Sequence, residues 1–275
     1  MSVATSKTPA TKASSRKIEM PLALRAYQYS LLSYKRTWRG SLTTTFLYPV
    51  LYLAAIGVGL GKLVDHGSTV AVEGLPYIWF LAPGLLAGTA MQIAVNESTY
   101  PVMAGIKWLK TYLAMLATPL EVTDVFYGHL LWVITRVALA SSVFLAVMAM
   151  FHVIASPYAV AAFPAAVLTG TAFAAPVMAF SATQETDQRF VVLYRFAVVP
   201  LFLFSGTFFP VSELPGWLQD IARVSPLYQG VSLCRDLVLG RMGGFEYLGH
   251  IAYLLLMVIG GVLAARVTYR RRLVQ

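Results

Sequence analysis

The sequence predicts an all-α, polytopic membrane protein with six transmembrane helices, and three observations carry that expectation. Of 275 residues, 58% are hydrophobic and only 12% charged, with a mean hydropathy of +0.68. A soluble domain carries about 25% charged residues to coat its surface, so most of this surface must face lipid. Six separate runs reach the roughly 20 apolar residues needed to span a bilayer. Lys and Arg number 21 against 12 Asp and Glu, and they gather at the chain ends. That is a topological pattern rather than a nucleic-acid footprint.

Residues 1–19 are rich in Ser, Thr, Ala and Lys. With no apolar core, they read as a disordered cytoplasmic tail rather than a secretory signal. Residues 20–40 have a helical period, with Ala23, Tyr27, Leu31, Tyr34 and Trp38 on one face and Arg25 and Arg36 opposite. Such a helix either lies in the headgroup plane or packs on a partner. The transmembrane domain then occupies 41–267, with spans at 41–61, 77–95, 125–150, 158–182, 190–209 and 247–267, and 268–275 forms a basic tail. Pro164, Pro176 and Pro200 fall inside spans, which membrane helices tolerate when neighbours satisfy the freed carbonyls.

Lys7, Lys12, Arg16, Lys17, Arg25, Lys35, Arg36 and Arg39 precede the first span, and Arg266, Arg270, Arg271 and Arg272 close the chain. The loops on the other side are poorer in cations, so both termini are expected in the cytoplasm.

Two connections exceed a turn. The cytoplasmic one, 97–124, holds Ile106, Trp108, Leu109, Tyr112, Leu113 and Leu116 at helical spacing, beside Lys107 and Lys110. This predicts a short amphipathic helix that docks a soluble partner or lies on the inner leaflet. The external one, 210–246, contains Pro210, Leu214, Pro215, Trp217 and Pro226. It is too apolar for a solvated loop and too broken for a span. A re-entrant pair of short helices is expected, a shape that suits a gate.

No catalytic or metal-binding set emerges. His66, His129, His152 and His250 lack the i, i+4 spacing of a helical metal site and read as interfacial or loop residues. Glu185, Asp187 and Arg189 read as a solvated charge cluster in a short inner loop, and Cys234 as a buried small apolar residue. The stretch Gly57-Val58-Gly59-Leu60-Gly61-Lys62 is not a phosphate loop. Ile56 stands where the first glycine is required, and Leu63 where Ser or Thr is required. If ATP drives this chain, another subunit must supply the site. The pairs Gly57/Gly61 and Gly84/Gly88 place grooves on helix faces where backbones approach closely. Arg136, deep in the third span, is costly there and should face the bundle or a wet cavity, pairing with a carboxylate or meeting an anionic substrate.

Several segments, taken in order, resemble the ABC type-2 (ATP-binding cassette) transporter permeases. They are Tyr48-Pro49, Phe80-Leu81-Ala82-Pro83-Gly84, Thr118-Pro119-Leu120, Ser205-Gly206-Thr207-Phe208-Phe209-Pro210, Leu214-Pro215-Gly216-Trp217-Leu218-Gln219, Pro226-Leu227 and Arg235. Within that family the chain resembles the short six-span subunits of lipooligosaccharide (nodulation-factor) and daunorubicin exporters. The resemblance implies a permease subunit, not an enzyme, that moves a lipid-linked glycan, glycolipid or amphipathic drug out of the cytoplasm. It implies a homodimer joined to two copies of a separate ATPase, with ATP and Mg bound there and no cofactor or metal in this chain. It also implies that Ile106, Lys107, Trp108, Leu109 and Tyr112 couple to the ATPase. Tyr48, Tyr52, Phe202, Phe204 and Phe208 would border the substrate path, and Pro210, Leu214, Pro215 and Trp217 would form the outer gate. The alternatives are a secondary transporter, which needs intramembrane carboxylates, whereas the carboxylates here are expected at span ends, or a membrane-embedded lipid-modifying enzyme.

Overall fold

A computed structural model describes residues 21–55, 75–241 and 245–274; within the first segment, the side chains at 37, 39, 41–46, 48 and 49 are outside the description. Every regular element among the described residues is helical. The elements are α1 (Leu22–Tyr52), α2 (Tyr77–Ser98), α3 (Tyr100–Met103), α4 (Thr111–Leu116), α5 (Val122–Met150), α6 (Ala162–Ala182), α7 (Gln188–Leu193), α8 (Val199–Phe204), α9 (Gly216–Val224), α10 (Pro226–Leu239) and α11 (Glu246–Leu273). Wide π turns at Ala104–Trp108 and Tyr194–Val198 and 3-10 turns at Pro157–Ala161 and Val211–Glu213 join some of them.

Among the described residues, four helical runs are long and apolar enough to cross a membrane: Tyr77–Trp108, Val122–Met150, Pro157–Ala182 and Glu246–Leu273. They correspond to the second, third, fourth and sixth expected spans. The first expected span is described only through residue 55; Gly57/Gly61, the 57–62 stretch and His66 lie outside the described residues. Up to that point α1 runs through residue 40 without a break. The fifth span is shorter than expected: its helix covers 188–204, about 25 Å at 1.5 Å per residue, and turns at Ser205 rather than continuing to 209. The π turn inside it has a local cause. Pro200 has no N–H and its ring crowds the carbonyl four residues back, while the Val199 amide reaches five residues back, to Tyr194.

The second span departs most from expectation. It does not stop at Val95 but continues as one helical run to Trp108, bending only at Thr99. There the Thr99 hydroxyl donates to the Val95 carbonyl at 3.0 Å, satisfying a group that the bend would leave open. α2 is the most enclosed helix, packed between α5, α6 and α10, whereas α11 leans on α6 and leaves most of its surface outward. Packing follows small residues. A Cβ added at Gly84 would lie 3.0 Å from the Thr207 carbonyl, and one at Gly88 would lie 2.4 Å from the Phe202 ring. The i, i+4 glycine pair is the groove that receives the C-terminal part of the fifth helical segment and the turn after it. In the same way Gly261 of α11 sits on the ring of Pro176 in α6.

Candidate coupling, path and gate elements

At the end of the bundle that carries the basic C-terminal residues, the inner connection folds as two pieces rather than one amphipathic helix. Lys110 adopts a left-handed backbone (φ 52°) and breaks the helix between Trp108 and Thr111. The apolar residues, which share one face at helical spacing, are split by that break. Ile106 and Tyr112 turn into the bundle, where the Tyr112 ring meets those of His129 and Tyr269. Trp108 and Leu109 point outward, 54% and 71% exposed, with Leu113 also exposed. Two large apolar side chains on the knuckle of a kink form a protruding knob that the described residues leave largely uncovered.

Lys107 holds that knob to the rest of the bundle. Its ammonium donates to the Glu185 carboxylate at 2.5 Å and to the Glu185 carbonyl at 2.7 Å. Arg272 of α11 reaches the other carboxylate oxygen at 2.5 Å. Glu185 is therefore a clamp joining three elements rather than a member of a local cluster with Asp187 and Arg189. The Arg272 hydrogen bond, then that of Lys107, pulls its carboxyl down to about 2. Sequence reading could not find the clamp, because Arg272 lies 87 residues away.

Arg136 lies in the interior of α5, and its partner is Glu97 at 2.9 Å. Glu97 is not at a span end; the continuation of α2 past Val95 carries it into the bundle. Its second oxygen accepts from the Trp132 indole at 3.1 Å, and its carbonyl lies 2.9 Å from His129 Nε2. The Arg136 guanidinium also lies 4.6 Å from the centre of the Tyr34 ring on α1. A charge that would be costly in lipid is thus neutralised, hydrogen-bonded and stacked. His129 is a buried member of this network, not an interfacial or loop residue. The one legible signal was Arg136 itself, which had to have a partner.

Of the expected path residues, Tyr48 lies outside the described side chains and Tyr52 is half-buried at the end of α1. Phe202 and Phe208 meet edge to face at 5.2 Å, with Phe202 on Gly88 and the Phe208 carbonyl accepting from the Tyr77 hydroxyl at 3.0 Å. Phe204 faces outward. It borders an apolar cleft of about 330 Å³ with Phe196, Leu218 and Ile221. The structure therefore brings Phe202 and Phe208 together and leaves Phe204 on a different surface.

At the opposite end, Pro210, Leu214 and Pro215 lead into α9, and an extended Ser225 followed by Pro226 separates α9 from α10, giving two short helices. Trp217 opens α9, 70% exposed, and Gln219 anchors the turn by donating to the Leu214 carbonyl at 2.9 Å. The residue that fixes this end is Arg235. Buried in α10, it donates to the Phe80 carbonyl at 3.2 Å and the Gly206 carbonyl at 2.7 Å, with its guanidinium 3.8 Å from the Phe80 ring centre. One side chain thus ties α10, α2 and the Gly206 turn, which has a positive φ of 75°. Among the described residues no group of three His, Cys, Asp or Glu is placed to hold a metal ion.

Apolar helices long enough to cross a membrane, with an exposed apolar knob at one end, fit a membrane protein. The match to known families agrees: residues 24–239 match the ABC-2 type transporter family, and the chain belongs to it. It is an ABC-2 permease, a multi-pass membrane subunit of a transporter, and membership implies association with an ABC ATPase. Among individual proteins, it is similar to Nodulation protein J of Rhizobium leguminosarum bv. viciae, with 31% identity over 92% of this chain and 95% of that protein. Nodulation protein J of Rhizobium meliloti (strain 1021) is 30% identical over 78% of this chain and 80% of its own length. That of Sinorhizobium fredii is 30% identical over 85% and 87%.

Proposed function

We propose that this chain is the permease of an ATP-driven exporter that moves a lipid-linked glycan, glycolipid or amphipathic drug out of the cytoplasm. It works as a homodimer with two copies of a separate ATPase that binds ATP and Mg. The observation that carries the reading is the exposed Trp108–Leu109 knob on a kinked segment clamped by Lys107 to Glu185. Aromatic and aliphatic side chains on a protrusion are what a partner pocket buries for affinity, and the clamp passes a push on the knob to α6 and α11.

The concentration of Lys and Arg at this end favours placing it, with both termini, in the cytoplasm. The α9–α10 pair then dips in from outside as the gate. ATP-driven movement of the partner shifts the bundle only if the partner binds its two states with different affinity. Aromatic residues such as Phe202, Phe204 and Phe208 suit an amphipathic cargo, since rings offer apolar faces to it. The resemblance of several sequence segments to lipooligosaccharide exporters favours the glycolipid class among these cargoes.

The test is W108D/L109D. The expected result is that the variant folds and inserts but no longer co-purifies an ATPase, and that export stops. Retention of both would sink the docking role. One observation favours a second reading, a secondary transporter: Glu97 is a carboxylate within a helical run long enough to span. If that were its task, E97Q would abolish proton-coupled uptake into vesicles without ATP. In the exporter reading no ATP-independent transport exists to lose.

A further inference from the structure

A cavity of about 940 Å³ lies between the start of α5 and the end of α11, and none of its lining residues belongs to the knob, the gate or the Arg136 network. Its walls are apolar, with Leu120, Phe126, Leu263 and Val267 among them, and its rim carries Arg266, Arg270 and Arg271. Arg266 and Arg270 are four residues apart and so share a helix face, and Arg271 adds a third guanidinium one step round. None of the three has an acidic partner among the described residues, whereas Arg272, next in sequence, is committed to Glu185. The carboxylate on the rim, Glu121, is occupied in capping α5, where it receives the Asp124 amide. Three cations against one engaged carboxylate leave the rim strongly positive.

We propose that this groove binds an anionic phospholipid of the adjoining leaflet. Its phosphate is held by Arg266, Arg270 and Arg271, and an acyl chain lies along Phe126, Leu263 and Val267. The inference requires only that the chain spans a membrane, not that it is an exporter. Charge and shape favour this occupant together. Guanidinium groups bind phosphate oxygens in a planar fork, and basic pockets between helices at a membrane surface are where anionic headgroups settle. The cavity also lies within the range of sites that enclose small molecules, roughly 300–1,000 Å³. Because the groove joins the first turn of α5 to the last turns of α11, a lipid seated there would hold α11 against α5, a pair with few contacts of their own compared with α11 and α6.

The test is performed on the full chain in mild detergent, by native mass spectrometry and by thermal unfolding with added phosphatidylglycerol, cardiolipin or phosphatidylcholine. The wild type is expected to retain anionic phospholipid and to gain thermal stability from phosphatidylglycerol or cardiolipin but not from phosphatidylcholine. At about 1 kcal/mol for each arginine near an anionic headgroup, R266Q/R270Q/R271Q should need about a hundredfold more lipid for the same shift. The single variant R270Q should fall between, which keeps the test readable if the triple variant folds poorly. R272Q should retain the lipid. The proposal is overturned if the triple variant holds as much anionic lipid as the wild type, or if phosphatidylcholine or inorganic phosphate gives the same shift. It is also overturned if the variants lose a co-purifying protein while lipid retention is unchanged, which would make the groove a protein-docking surface.

Discussion

The two ends of this bundle are built differently. At the Gly206 end, glycines receive close neighbours: Gly84 the Thr207 backbone, Gly88 the Phe202 ring, and Gly230 the Thr169 side chain, which would be 2.4 Å from an added Cβ. Arg235 locks that end with two buried carbonyl contacts. At the Glu185 end the elements are joined by solvent-exposed ion pairs, a left-handed kink at Lys110, a π turn at Ala104–Trp108 and the large groove between α5 and α11. Close-packed interfaces have few alternative arrangements and move as blocks. Exposed ion pairs are weak and exchange readily with water and salt. In the proposed exporter this contrast fits input at one end and block-like response at the other.

The comparison breaks most severely at Arg235. R235A removes charge-assisted bonds to two buried carbonyls and leaves a hole beside Phe80, and it is expected to cost about 3 kcal/mol. Thermal unfolding in detergent should show the loss, with export falling in parallel. A variant as stable as wild type would mean that the Gly206 end is not held as described. The next effect is at the Glu97–Arg136 pair, between the two ends. A double-mutant cycle of E97Q and R136Q should give a coupling of about 1–3 kcal/mol, and additive losses would show that the pair contributes nothing.

Smaller still is the clamp. E185Q should leave the melting temperature nearly unchanged but weaken export. Its carboxyl is pulled below its ordinary value to about 2, so the contribution is fully present above the normal carboxylate range and is lost only as pH falls through about 2. The deficit of E185Q in export relative to the wild type should therefore be the same from pH 5 to 8, roughly three units or more above the titration. Smallest is Trp217, exposed at the head of α9: W217A should change stability by less than about 0.5 kcal/mol. A larger loss would show that the gate helix carries packing not present within one copy.

Hydropathy made α5 and α6 legible nearly to their ends, whereas α11 stays helical through Leu273, past the expected end at 267, and the Gly84/Gly88 spacing marked a packing groove before its occupant, Phe202, was known. Pro226 marked the break between α9 and α10. What sequence could not carry were features decided by distant partners. Glu97 reads as a loop residue because polar Asn96, Glu97 and Ser98 end the apolar run, yet Arg136, 39 residues on, draws it into the helix. The Lys110 kink is invisible because lysine is a good helix former, and its left-handed backbone answers the opposed demands of Tyr112 inside and Leu109 outside. The groove at Arg266, Arg270 and Arg271 looked like a generic basic tail until the structure separated those residues from Arg272.

The most direct test of the division of labour is amide hydrogen exchange on the permease bound to its ATPase, with and without a non-hydrolysable ATP analogue. The account predicts that exchange changes with nucleotide in 104–117 and 183–189, while 80–88 and 226–238 keep their protection even as the gate moves, because that end shifts as a block. Nucleotide-dependent exchange in 226–238, with none in 104–117, would contradict it.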